Sequence, residues 1–196
     1  LASMVDYSSA LNLLSLMPRH GRGEGLLRVE AEIRLLSGDE SAACQMIENE
    51  IRRNQANFWQ KALVFCQVLS KEWEKAELGL TLLREVGVDD PVFFSLAEAI
   101  FEGKVYEVSA IDNMSPLILA MLSKAKFVIQ PAIILEMAPN ALRVVALNEE
   151  LSVGLRVLAV EKMALLNLYS DTVIINLYGK TTANLPHIDS KVDEAQ

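Results

Sequence analysis

The residues able to do chemistry are few and scattered. The densest group is Arg19-His20-Gly21-Arg22-Gly23-Glu24-Gly25. Its alternating glycines lead into a helix N-terminus, where open amides attract phosphate or carboxylate, so Arg19, His20 and Arg22 outline a weak anion-binding loop. The loop lacks the lysine and hydroxyl of a P-loop and no strand precedes it, so its plain reading is a flexible link between helices. The two histidines, His20 and His187, are far apart and neither has a partner at metal or triad spacing. Glu30, Glu32, Glu48, Glu50, Glu149 and Glu150 fall on solvated helix faces or in first turns, where negative charge suits the helix dipole. Trp59 and Trp73 sit at core phase, and Lys162 interrupts an apolar stripe, snorkelling or pairing with an acid. No set converges, so the expectation is no catalytic, cofactor-binding or metal site, no cofactor, and a chain that is not an enzyme.

The cysteines carry more information. Only Cys44 and Cys66 are present, without CxxC metal spacing. Around a turn centred near residue 55 each lies eleven residues from the bend, which places the two thiols at one height on neighbouring antiparallel helices. They read first as two small buried hydrophobes, and as a disulfide if the compartment is oxidising. A catalytic dithiol is the weakest reading, since nothing nearby lowers a thiol pKa.

These residues are carried by a chain of 196 residues, 52% hydrophobic and 22% charged, with a formal charge of −8. That length buries a core without metals or disulfides. The acidic balance disfavours nucleic acid and anionic membrane as partners. The longest apolar run, Phe127 to Ala138, is too short to span a bilayer and contains Pro131 and Glu136. No signal peptide is expected at the start. Leu1 in place of Met is compatible with a fragment or a processed form. The expected setting is a soluble one, cytoplasmic or periplasmic.

Periodicity makes the chain all-α. Helices are expected at about 6–17, 24–36, 40–53, 56–69, 71–85 and 91–102. Gly38 and Gly103 stop two of them, Gly87 closes the fifth, Asp39 caps the third, and Asp90-Pro91 opens the sixth. Residues 104–114 fit an extended link or a turn of helix. Ser115-Pro116 opens a short helix to about 125, and Pro131 and Pro139 open two more. Asn148 caps the longest helix, 149–168, and Ser170 caps a last one, 171–178. Strand signals are weak. The expected division is 1–114, then a helical subdomain or cap at 115–179, then a polar tail at 180–196.

Two segments repeat at an offset of 33 residues: Gly38 to Ile47 aligns with Lys71 to Leu80, with Ala43 over Ala76, and Leu36-Ser37 over Leu69-Ser70. A further step reaches Glu102-Gly103-Lys104. A small side chain at 43 and 76 lets a neighbouring helix approach closely. Gly38, Ala43 and Ile47 in one copy, and Trp73, Ala76 and Leu80 in the other, resemble the second helix of a tetratricopeptide repeat over about residues 24–103. Glu40 stands where an aromatic is usual, Lys71 where the glycine is, and no unit ends in proline. The resemblance implies antiparallel hairpins stacked as a short right-handed α-solenoid with an atypical C-terminal helical cap. It further implies a non-catalytic protein–protein interaction module or scaffold that takes a protein or peptide partner, with Asn49, Arg53, Gln60 and Gln67 lining a peptide groove. A homo-oligomer is compatible with it, a membrane span is not. The alternative is a helical domain of a larger bacterial envelope protein or enzyme, with any catalysis elsewhere.

Overall fold

Prolines and glycines punctuate the chain. The structure, a computed structural model, describes residues 7–17, 22–109, 114–167 and 171–182. Its elements are α1 (Tyr7–Ser15), α2 (Glu24–Ser37), α3 (Glu40–Glu50), α4 (Asn57–Leu69), α5 (Trp73–Glu85), α6 (Pro91–Glu102), β1 (Val105–Val108), α7 (Pro116–Leu122), β2 (Lys126–Ile129), α8 (Pro131–Glu136), α9 (Pro139–Leu147), α10 (Val153–Leu165) and α11 (Asp171–Thr182). Pro91, Pro116, Pro131 and Pro139 each take the first helical position, where a missing N–H leaves no bond unmade. Asp90 and Ser115 accept from the amides of Phe93 and Ile118, at 3.1 and 3.3 Å, as side-chain caps.

Gly38 ends α2 in the left-handed conformation, at φ 85°. Lys71, 33 residues later, adopts φ 59° at the corresponding junction. The residues that follow are alike too: Asp39 at φ −84°, ψ 57° and Glu72 at φ −82°, ψ 64°. Their amides donate to Arg34 O and Gln67 O, both at 2.9 Å, closing the same six-residue turn. Asp39 occupies the N-cap position without capping, because its carboxylate is drawn to Arg34 at 2.6 Å instead.

The helices α2 to α6 pack in sequence, α2 on α3, α3 on α4, and α4 on both α5 and α6. The second half does not stand apart from them. Leu117 to Leu122 of α7 are all buried, the mark of a helix that is apolar all round and belongs inside. This helix lies against α2, α6 and α9 at once, and one hydrophobic cluster runs from Ala31 to Leu177. Beyond it, α9, α10 and α11 pack together, with α8 against α10. Arg156, 4% exposed, fastens this group by donating to Ala146 O (3.3 Å) and Lys180 O (3.1 Å).

Three expectations need correction. The weak strand signals conceal a parallel pair, β1 with β2, in register Val105↔Lys126 to Val108↔Ile129. Helix α7 supplies the crossover that parallel strands require. Val108, Phe127 and Ile129 face inward while Val105 and Val128 face out, a period of two too short to register in four residues. The long helix begins at Val153, and α2, with 14 residues, is longer than its 13. Asn148 instead accepts from the amide of Glu150 at 2.9 Å and makes a local turn. Finally, α11 runs to Thr182, so residues 180–182 are helical and not tail. Residues 183–196, and with them His187, lie outside the described residues, as do Arg19, His20 and Ser170.

Candidate functional site

A chain of four charges crosses the surface of α2. Glu30, 5% exposed, sits between two arginines. One is Arg22, which meets the Glu30 carboxylate and also donates to Leu14 O and, at 2.7 Å, to Met17 O. The other is Arg34, whose Nη2 and Nε reach Glu30 Oε1 at 2.9 and 3.2 Å and whose Nη1 reaches Asp39. Arg22 therefore ties the end of α1 to α2. Its guanidinium is committed inside the fold, and of the three side chains anticipated in the anion loop, Arg19, His20 and Arg22, the only described one is a structural residue.

Three of these charges, Arg22, Glu30 and Arg34, form one side of an open groove of about 1030 Å³ between α2 and α3. Leu27 and Met46 give it apolar ground, and Gln45, Asn49 and Glu50 line the α3 side, with Arg53 at the end. Asn49 Nδ2 donates to Gln45 O at 2.8 Å, and Arg53 makes no ion pair among the described residues. Two of the four residues anticipated in a peptide groove are thus together. Gln60 and Gln67 are elsewhere, in an apolar groove of about 270 Å³ on α4 and α5, between Leu63, Leu78 and Leu82. Helix α4 turns that face towards α5, whereas α3 turns Asn49 towards α2. Gln60 Nε2 is engaged with Gln55 O at 2.6 Å, and Gln67 Oε1 is buried without a partner among the described residues. This second groove depends on Gly79, where an added Cβ would meet Val64 Cγ2 at 2.5 Å. A glycine inside an otherwise sound helical pattern was the available signal for that close approach.

A third cavity, of about 560 Å³, lies between α2, α4, α6 and α7. Phe58, Leu117 and Ile118 line it with Arg28, Lys61, Asp89 and Asp90. Arg28 stacks 4.5 Å over Phe58 and donates to Glu32 at 3.0 Å. Lys61 donates to Asp90 at 2.7 Å. Each cation has its own carboxylate, so no cation of the cavity is left over for an anion, while Asp89 makes no ion pair among the described residues. Burial raises the Glu32 pKa above the ordinary glutamate value, with the hydrogen bond and charge of Arg28 pulling against it. Sequence pattern placed Glu32 on a solvated face; it is 5% exposed because α2 is covered on more than one side.

Cys44 and Cys66 are joined, at S–S 2.02 Å with Cα atoms 5.6 Å apart. The bond takes the place of the two free buried thiols that were the first reading, and it links α3 to α4. Among the described residues no three His, Cys, Asp or Glu side chains come together as a metal site, and no helix is long and apolar enough to cross a membrane. Comparison of the chain with family models, with curated proteins and with solved structures finds no match.

Proposed function

We propose that this chain is a protein–protein interaction module, with tetratricopeptide-like stacking of its α2–α3 and α4–α5 hairpins, and that the α2–α3 groove takes a segment of a partner protein. The observation that carries the reading is the groove itself: about 1030 Å³ and open to solvent, with amide and charged side chains on the α3 side and apolar ground beside them. Small-molecule sites are concave pockets with a few convergent polar groups, whereas an open groove with a polar rim suits a polypeptide. The two junctions with matching backbone at Gly38 and Lys71 support the stacking.

The test is a photo-crosslinking amino acid placed at Asn49 or Arg53, with Thr81, exposed on α5 and outside the groove lining, as control. A saturable protein adduct from the groove positions only, lost in Arg53→Glu, is the expected result. Turnover of a small molecule without any adduct would count against it. The disulfide favours the second reading, a helical domain of an envelope protein, because such bonds persist in oxidising compartments.

A further inference from the structure

We infer that the Cys44–Cys66 disulfide is a thiol-sensitive latch on α3, so that its reduction releases α3 and dismantles one wall of the α2–α3 groove. The consequence for binding rests on the reading of that groove; the release of α3 does not.

Helix α3 is thinly anchored. Of its 11 residues only Ala43 and Ile47 are fully buried, whereas α4 buries seven of 13. Neither end has a side-chain cap, since Asp39 is turned to Arg34 and Ile51 follows with no αL residue. The ion pair of Glu40 with Lys124 is 31% and 38% exposed, the kind that contributes little. Elements with few buried apolar contacts are the first to open locally. What holds α3 beyond those contacts is the disulfide, placed mid-hairpin and closing a loop of 22 residues.

The sulfurs are unequal. Cys66 is 3% exposed, while Cys44 is half-buried and supplies the accessible side. An external thiolate attacks Cys44 Sγ, the Cys44–Cys66 bond breaks, and Cys66 leaves as a thiolate that takes a proton from water. A second thiol then attacks the external sulfur of the mixed disulfide, freeing Cys44 as a thiol and leaving an external disulfide. Two electrons pass from two thiols to the protein. Cys66 remains on α4 as a small buried thiol, and α3 keeps its apolar contact, centred on Ala43 and Ile47, and the exposed Glu40–Lys124 pair.

Peptide-resolved hydrogen exchange on the full chain, oxidised and then treated with a dithiol, tests this. Loop-closure entropy for a loop of this size sets an upper bound of about 300-fold on the acceleration of exchange across 40–50 after reduction, with α4, α7 and α9 little changed. The Cys44→Ala/Cys66→Ala variant without reductant should show the same pattern. Unchanged exchange in α3, equal acceleration of every helix, or wholesale unfolding on reduction would each overturn the latch. Crosslinking at Asn49 reports on the groove separately: if α3 is released yet crosslinking persists, the groove reading fails and the latch stands.

Discussion

Glu30→Gln is the most informative single substitution. The carboxylate bridges Arg22, whose side chain is 4% exposed, and Arg34, at 22%. The amide keeps the size and one acceptor but removes the charge. Arg34 retains Asp39 and reaches solvent, so its loss is small. Among the described residues Arg22 retains only the carbonyls of Leu14 and Met17, and is left as a buried cation without a carboxylate. Breaking a buried pair from one side costs about 3–5 kcal/mol. Because carbonyl acceptors remain, the lower end applies, about 3 kcal/mol. For a chain of this size that corresponds to a fall in Tm of roughly 6–12 °C. The assay is urea unfolding followed by far-UV circular dichroism, with the midpoint falling at constant slope. Arg22→Met combined with Glu30→Leu removes both charges and should lose less than Glu30→Gln alone. A loss below about 1 kcal/mol for the single substitution, or a double variant no better than the single, would refute the claim that Glu30 works by neutralising Arg22.

Lys71→Gly should stabilise the chain by about 1 kcal/mol, since φ 59° suits glycine and strains lysine, and Gly38→Ala should lose a similar amount; both are read from Tm. Gly79→Ala should cost about 1–2 kcal/mol, because the clash with stiff, buried Val64 outweighs the gain in helix propensity, and adding Val64→Ala should return part of it in a double-mutant cycle. Glu32 keeps its proton to higher pH in the folded state than in the unfolded chain. Its contribution is therefore present at acid pH and lost as pH rises from the ordinary glutamate range through the raised folded value. Glu32→Gln should flatten that fall in urea midpoints, and an unaltered profile would show that another group is responsible.

Helix boundaries were legible because they are local: proline at a first position, a left-handed glycine and a 3.6-residue apolar rhythm act within one or two turns. That Cys44 lies level with Cys66 was legible for a related reason, as a short turn between antiparallel helices sets which residues are level, whereas the bond between them was not the first reading. Sequence pattern alone therefore determined a helical chain, its punctuation at Gly38, Pro91, Pro116, Pro131 and Pro139, and the neighbourhood of its two thiols. Only the tertiary structure decided the rest. It placed α7 against α2, α6 and α9, buried Glu30 and Glu32, paired β1 with β2 across that helix, and sent Asn49 and Gln60 into different grooves. A residue's neighbours around a helix follow from spacing, but what covers each face depends on contacts between segments far apart in the chain, such as α2 (Glu24–Ser37) with α7 (Pro116–Leu122). Arg22, Glu30 and Arg34 show the difference: they are close in sequence, yet they became a groove wall only when α3 was fastened beside α2.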